Sequence, residues 1–307
     1  MKDREFDVHA TITNRIIEAI EAGAGNFVMP WHGAACAKAP INVTSRKAYR
    51  GVNILSLWIT GSARGYASNE WATFKQWQER GAQVRKGEKG TPIVFYKQLA
   101  VSDDNPPVGE VSGEALRIPF ARASWVFNAA QIDGYSSPEE TIVPPALFER
   151  LANVEAAISA TGANISYGGS RAFYDRVEDR IQIPNAGDFV GTETSTARES
   201  FYSTVLHELA HLSGASHRLN REKGKRFADR AYAFEEIVAE LSAAFSCVRL
   251  GITSTPRADH AQYIAGYLEI LRGDKKAIFA AAAAATAATD YILAFSQTVL
   301  PAAIPAP

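Results

Sequence analysis

The amino-acid sequence predicts an α+β protein of two domains: an N-terminal α/β domain and a mostly helical C-terminal domain with a small sheet. The length of 307 residues favours two domains, because one domain usually holds roughly 100–200 residues. Helical and strand patterns alternate in the first half, whereas long helical patterns dominate the second. All five tryptophans lie in the first half, which indicates that the two halves present different surfaces.

The individual elements follow from residue spacing. Apolar side chains three and four residues apart predict helices, and runs of β-branched and aromatic residues predict strands. In the first half this predicts helices over 5–22 and 52–63, a helix capped by Ser68 or Asn69 that runs to Arg80, and strands over 92–99 and 118–127. In the second half it predicts helices over 145–160, 195–213, 232–250, 258–272 and 274–297, and short strands around 164–167, 172–174 and 180–183.

A cluster of Gly, Ser and Pro over 133–145 separates the halves and predicts a linker. The predicted division is a domain over 1–135, a linker over 136–144, a second domain over 145–300 and a flexible tail over 301–307. Each of the two domains is long enough to bury its own core.

Composition excludes several classes of protein. The first residues lead into no apolar segment, which argues against a secretory signal, and the alanine run at 280–285 is too weakly hydrophobic to predict a membrane span. The only cysteines, Cys36 and Cys247, cannot provide a disulfide framework or a cysteine-bound zinc. We expect a cytoplasmic protein with no membrane partner.

A metal-binding motif, HExxH, lies in the predicted helix over 195–213. His207 and His211 are four residues apart, so both imidazoles share a helical face and can bind one ion. Glu208 follows the first histidine, where a general base can take a proton from a water molecule at the open position of the metal. The alternative is a chance match by two surface histidines of an ordinary helix.

The next predicted helix offers a third ligand. Glu236 and Glu240 are four residues apart and share a face with small apolar residues. An inward-facing carboxylate is costly unless it is paired or binds a metal. We expect Glu236 to bind the ion and Glu240 to orient a histidine ligand, with the reverse assignment left open, and Glu235 to be solvated. With His207 and His211, this predicts one Zn²⁺ per chain.

A basic, aromatic-rich stretch in the first half is typical of nucleic-acid binding. Residues 38–97 hold 11 Lys and Arg but only 3 Asp and Glu. Cations can follow phosphates while exposed rings stack on unpaired bases, so single-stranded DNA is the expected partner. The alternative is a hydrophobic core beneath a solvated basic surface. The residues predicted to bind DNA are Lys47, Tyr49, Arg50, Trp71, Lys75, Trp77, Arg85, Lys86 and Lys89.

Nine short segments distributed along the chain carry a family resemblance in combination: residues 30–31, 40–42, 49–53, 85–90, 126–128, 207–211, 216–221, 235–241 and 290–292. With them the sequence resembles the plasmid-borne ArdC antirestriction proteins, whose N-terminal domain is shared with TraC-type conjugative primases. The resemblance implies an N-terminal domain that binds single-stranded DNA and a zincin-like C-terminal domain. The implied role is to protect DNA that enters by conjugation from restriction.

The sequence therefore predicts an antirestriction protein with a zinc metallopeptidase site and an unidentified protein substrate. One alternative is a DNA-dependent zinc protease that acts on a regulator or on proteins associated with DNA, such as a restriction system. A protease assay with and without single-stranded DNA separates these two. A second alternative is a binding module with a structural metal, and a water-occupied fourth metal position would count against it.

Overall fold

The computed structural model describes residues 6–23, 38–101, 116–137, 147–192, 195–221, 230–254 and 260–294. Within these ranges the helices are α1 (Val8–Gly23), α2 (Val52–Arg64), α3 (Phe74–Glu79), α4 (Leu147–Ala160), α5 (Ala197–Ser213), α6 (Arg230–Leu250), α7 (His260–Gly273) and α8 (Ala277–Ala294). The strands are β1 (Ile41–Asn42), β2 (Glu70–Thr73), β3 (Gln83–Val84), β4 (Thr91–Val101), β5 (Leu116–Asn128), β6 (Ile132–Asp133), β7 (Asn164–Tyr167), β8 (Phe173–Asp175) and β9 (Arg180–Ile183). The predicted α+β class is confirmed.

The first half is built on a four-stranded sheet in the order β1-β2-β5-β4. Its two long strands, β4 and β5, are antiparallel, with Thr91 paired to Val126 at one end. Both strands were predicted from the sequence, and the prediction is confirmed. Helix α2 covers the outer edge of β4, where the side-chain amide of Asn53 accepts a hydrogen bond from the Val94 N–H and donates one to its C=O, both at 2.8 Å. This side chain satisfies backbone groups that an edge strand otherwise leaves unpaired.

The predicted helix from Ser68 or Asn69 to Arg80 is wrong in its first turn. Residues 70–73 form strand β2, and the helix begins only after Thr73, which accepts a hydrogen bond from the Gln76 N–H at 3.3 Å. Gln76 returns the contact by accepting from the Thr73 N–H at 3.0 Å, which completes a capping box. Pairing of β2 with β1 and β5 is a tertiary contact that local helix propensity cannot anticipate.

The second half packs a small sheet against long helices. The sheet has the order β7-β9-β8, with β7 parallel and β8 antiparallel to the central strand. A buried cluster joins this sheet to α4, α5 and α6. The positions of these strands and helices agree with the sequence prediction within about three residues, and the mostly helical character of this half is confirmed.

Each half buries clusters of its own, and a further, larger cluster is shared between the two halves. The largest buried cluster contains Ile12 and Trp58 from the first half together with Ile237, Tyr267 and Ala281 from the second. Polar contacts also cross between the halves: the Thr13 hydroxyl donates to the Lys275 C=O at 2.7 Å. The two halves therefore share a hydrophobic core, so removing either one exposes apolar surface on the other.

Helix α8 is long and apolar enough to cross a membrane by length and composition. In this protein, however, 56% of its 18 residues are buried. A core helix passes the same test, and α8 packs its alanines against the shared core. Cys247 is buried with a free thiol. Cys36, most of the predicted linker and the predicted tail lie outside the described residues.

Candidate functional site

Helix α5 carries the HExxH motif deep inside the second half. It begins at Ala197, directly after Thr196, whose side chain and that of Glu199 form a capping box. Glu199 also accepts a hydrogen bond from the Thr253 N–H at 3.0 Å. Most residues of α5 are buried, so the helix holds the motif in a fixed position.

Two histidines and one glutamate converge at the contact between α5 and α6. The Nε2 atoms of His207 and His211 lie 3.1 Å apart. Each lies 3.5 Å from a carboxylate oxygen of Glu236 on α6. Ligand atoms of these three residues all lie within 4.8 Å of one another, so the structure brings the three predicted ligands together.

This arrangement fits a divalent metal ion. Two ligand atoms of a tetrahedral zinc site, each about 2.0–2.1 Å from the ion, lie about 3.3 Å apart. The observed separations of 3.1 and 3.5 Å bracket this value. Imidazole nitrogens and carboxylate oxygens are also the atom types that bind zinc in proteins.

A carboxylate stands behind each histidine. Glu240 Oε1 lies 3.1 Å from His207 Nδ1, and Glu235 Oε1 lies 3.5 Å from His211 Nδ1. Such contacts orient an imidazole so that its other nitrogen can bind a metal. The position of Glu240 matches its predicted supporting role. The prediction that Glu235 is solvated is wrong, because it is only 2% exposed.

Glu235 is buried because Arg221 covers it. The guanidinium donates to the Glu235 carboxylate from Nε at 3.1 Å and from Nη2 at 2.8 Å. The same group donates to the Ala210 C=O at 2.6 Å and to the Ser213 hydroxyl at 3.0 Å. Arg221 thus joins the C-terminal end of α5 to α6. Sequence reasoning assigned Glu235 to solvent and gave Arg221 no role, although Arg221 ends one of the segments that carry the family resemblance.

The loop after α5 is held at a second point by the small sheet. Arg218 donates two hydrogen bonds of 2.7 Å to Asp179, which lies in the turn between β8 and β9 with a φ of 46°. The Tyr174 hydroxyl donates to the same carboxylate at 2.7 Å. The Arg218 contact lowers the pKa of Asp179 well below its ordinary value, so this ion pair persists across neutral and mildly acidic pH.

The charges of the cluster support one another. Burial alone would raise the pKa of Glu236, but the charge of His211 and a hydrogen bond to His207 lower it far below its ordinary value. Burial would likewise lower the pKa of His211, yet the charge of Glu236 and hydrogen bonds to both neighbouring glutamates raise it to about 9. The pKa of Glu235 falls to about 2 because contacts with His211 and Arg221 outweigh its burial. Glu236 is therefore ionised, as a metal ligand must be.

Replacing Arg221 by Met should lower the free energy of unfolding by about 3–5 kcal/mol, because it removes the guanidinium that pairs with the buried Glu235 carboxylate. Urea unfolding of the metal-free protein, followed by circular dichroism, measures this. The double variant with Glu235→Gln should recover most of the loss. Arg249→Met breaks a more exposed ion pair with Asp290 and should cost less than about 1 kcal/mol. Equal effects of both single substitutions would contradict the role assigned to Arg221.

The structure corrects part of the predicted nucleic-acid face. Trp71, Trp77 and Tyr49 are only 2%, 0% and 8% exposed and belong to the cores beneath the four-stranded sheet. The Trp77 ring N–H donates to the Phe127 C=O at 3.0 Å. Their assignment as base-stacking rings is wrong, because a base can stack only on an exposed ring.

The basic residues predicted to bind DNA are all exposed. Some of them form ion pairs with acidic residues, and others do not. Arg50 forms an ion pair with Asp290 of α8, and Lys75 lies 3.7 Å from Glu79. Arg85 contacts Glu88 at 3.1 Å. Lys47, Lys86 and Lys89 form no ion pair with any residue that the structure describes, and they remain the most accessible predicted phosphate ligands.

Comparison with known proteins finds two families along the chain. A model described as a zincin-like metallopeptidase matches residues 152–284. A model described as the N-terminal domain of the anti-restriction factor ArdC matches residues 6–127.

Relatives are found in bacteria. An uncharacterised protein of Sinorhizobium fredii is 44% identical over 288 residues, which cover 93% of this chain and 91% of the relative. A DNA primase TraC of Escherichia coli is 35% identical over 302 residues, which cover 94% of this chain and 27% of the primase. The chain thus spans about a quarter of the length of that primase.

Solved structures show the same architecture. A metal-free crystal structure of the antirestriction ArdC protein from the R388 plasmid has a TM-score of 0.76 and 34% identity, and the match covers 95% of this chain and 99% of that one. The Mn(II)-bound structure of the same protein has a TM-score of 0.73 and 32% identity, with 96% and 100% covered. Both matches therefore cover nearly the whole of this chain.

Proposed function

Because this chain belongs to the ArdC family of antirestriction proteins, we propose that it binds single-stranded DNA, carries a zinc metallopeptidase site and protects incoming conjugative DNA from restriction. Its zincin-like half implies a divalent metal. The observation that carries the proposal is the buried cluster of His207, His211 and Glu236, with Glu208 next to the first histidine on the same helix.

We assign one Zn²⁺ to this cluster. A site of two imidazoles and one carboxylate is a common catalytic zinc set. The related structure with Mn(II) supports a divalent ion at this fold, and a site of this kind binds zinc more tightly than manganese. In this assignment Glu240 and Glu235 orient the two histidines so that their Nε2 atoms face the ion.

The chain supplies a general base for hydrolysis. When bound, zinc polarises a substrate carbonyl and lowers the pKa of a water molecule at the open position to about 7. Glu208 is buried, and its carboxylate takes the proton from the attacking water and delivers it to the leaving amine. Burial of His207 and of the supporting glutamates, with His211 only 14% exposed in its side chain, keeps these groups in one orientation, which removes the need to reorganise during the reaction.

The N-terminal half supports association with DNA. It matches the N-terminal domain of ArdC, and the chain also matches part of a DNA primase. Lys47, Lys86 and Lys89 are exposed and can neutralise phosphates. We propose single-stranded DNA as the form that is bound, and the cytoplasm, where such DNA enters a recipient cell, as the location.

A DNA-dependent zinc protease that acts on a regulator or on DNA-associated proteins is the second candidate function. The buried cluster with an adjacent general base favours hydrolysis over a purely structural metal, because a structural zinc usually has four protein ligands. The structure brings three together among the residues it describes. A protein substrate that is cleaved only when single-stranded DNA is present would favour this alternative.

A restriction challenge tests the proposed function. Recipient cells with an active restriction system should yield more transconjugants when they express the wild type, and the Glu208→Gln variant should lose this protection if hydrolysis is required. Expression levels measured by immunoblot control for the amount of protein. Equal protection by both proteins would remove hydrolysis from the mechanism, and no protection by either would contradict the proposed role.

A further inference from the structure

A row of aromatic rings lies on one face of the four-stranded sheet. Trp125 and Phe127 are two residues apart on β5 and therefore point to the same face. Phe6 contacts Trp125 with ring centroids 4.9 Å apart, and Phe74 contacts Phe127 at 6.4 Å. We call Phe6, Trp125, Phe127 and Phe74 the aromatic row.

The rings of Trp125 and Phe74 in the aromatic row are exposed, unlike several other large aromatic side chains of this half. Trp125 and Phe74 are 44% and 42% exposed, whereas Trp58, Trp71 and Trp77 are almost fully buried. Burial of a large apolar side chain contributes roughly 1.5–3 kcal/mol to the stability of the folded state. The exposed rings of Trp125 and Phe74 do not make this full contribution, whereas the buried tryptophans do. Contiguous exposed apolar surface of this kind marks an interaction site.

A basic turn over residues 85–90 packs directly against the aromatic row. A Cβ atom at Gly90 would lie 2.9 Å from Trp125 Cβ and 3.2 Å from Phe127 Cζ, so only glycine lets the backbone pass this close. The side chain of Gln131 fixes the turn by donating to Glu88 at 2.8 Å and to the Lys89 C=O at 3.2 Å. The close packing therefore sets cations beside the exposed rings.

The charges at this surface favour a polyanion. Lys86 and Lys89 are exposed and form no ion pair with any residue in the described ranges. The acidic residue of the turn, Glu88, is occupied by Arg85 and Gln131. Arg64 adds a further cation, since its guanidinium donates to the Lys89 C=O at 3.1 Å. Free cations beside exposed aromatic faces match phosphates joined to unpaired bases.

We propose that the aromatic row and the basic turn together form the surface that binds single-stranded DNA. Unpaired bases stack on Trp125 and Phe74, and phosphates contact Lys86 and Lys89. Duplex DNA binds more weakly because its bases are already stacked on one another. This proposal rests on the proposed function and replaces the buried rings Trp71 and Trp77 as the stacking residues.

The test uses the full chain and a fluorescent oligothymidine of about 20 nucleotides, which exceeds one typical site. Trp125→Ala and Phe74→Ala should each weaken binding by about 5- to 150-fold, the effect of losing one stacked base. Trp125→Phe, which keeps an aromatic face, should recover most of the affinity. Tyr167→Ala is the matched control, because Tyr167 is 58% exposed but lies on β7 in the other half. Circular dichroism and urea unfolding check that each variant is folded.

Salt titrations separate stacking from phosphate contacts. The double variant Lys86→Gln with Lys89→Gln should reduce the slope of log affinity against log salt by about 1.4, since each phosphate contact on a single strand contributes about 0.7. Trp125→Ala should weaken binding at every salt concentration and leave this slope unchanged. A reduced slope for the double lysine variant and an unchanged slope for Trp125→Ala would together support the proposed DNA-binding surface.

The outcomes separate this surface from the proposed function itself. If the wild type does not bind the oligonucleotide, the proposed single-stranded DNA binding is contradicted. If the wild type binds and the folded Trp125→Ala and Phe74→Ala variants bind equally well, binding stands and this surface is wrong. A change in sedimentation with unchanged DNA affinity would assign the aromatic row to contact between copies of the chain, and would overturn the proposal.

Discussion

Replacing Glu208 by Gln should reduce peptide hydrolysis by about 10²–10⁴-fold while the metal stays bound. Glutamine is nearly the same size as glutamate but cannot take a proton from the attacking water. The predicted ligands, His207, His211 and Glu236, are untouched by this change. Metal content should therefore remain about one ion per chain, which separates loss of the base from loss of the centre.

Peptide products from unfolded casein and from a denatured cell lysate, identified by mass spectrometry, measure this hydrolysis with and without single-stranded DNA. Glu178→Gln is the matched control, because Glu178 is exposed in the turn before β9. Hydrolysis by Glu208→Gln at the wild-type rate would rule out its role as the base. Absence of products from the wild type in every mixture would count against the peptidase activity.

Loss of a histidine ligand should abolish stoichiometric metal binding. The wild type, loaded with zinc and dialysed, should hold about one ion per chain, and His207→Ala or His211→Ala should hold almost none, because only two protein ligands remain. Elemental analysis measures the content, and competition with a chromophoric chelator measures the affinity. Full occupancy in the double histidine variant would contradict the site.

The glutamates on α6 should differ in their effect on zinc affinity according to whether they bind the ion or orient a ligand. Glu240→Ala should weaken zinc binding about 10–100-fold, the usual effect of removing a group that orients a ligand. Glu236→Ala should weaken it further, because it removes a ligand. Glu269→Ala, on the exposed side of α7, is the control. The opposite ranking of Glu236 and Glu240 would mean that the two roles are exchanged.

Several properties of this protein follow from the sequence alone because they are local. Residues four apart on a helix share a face, so the spacing of His207 and His211 determines that their rings meet once α5 forms. The same rule places Glu236 and Glu240 on one face of α6, and the structure brings both to the histidines. The strands β4 and β5 are likewise predicted by their own β-branched and aromatic residues.

Only the tertiary structure decided which side chains are buried. Glu235 and Glu236 point to different sides of α6, because adjacent residues of a helix do not share a face. Glu235 is nevertheless buried, because Arg221 in the loop after α5 donates hydrogen bonds to its carboxylate and covers it. Trp71 and Trp125 are equally aromatic in the sequence, yet the first is buried in a cluster with Leu57 of α2, whereas the second is exposed. The shared core of α1, α2 and α6–α8 joins segments more than two hundred residues apart. Such contacts arise from the packing of distant elements, whereas sequence periodicity reports only which residues share a face within one element.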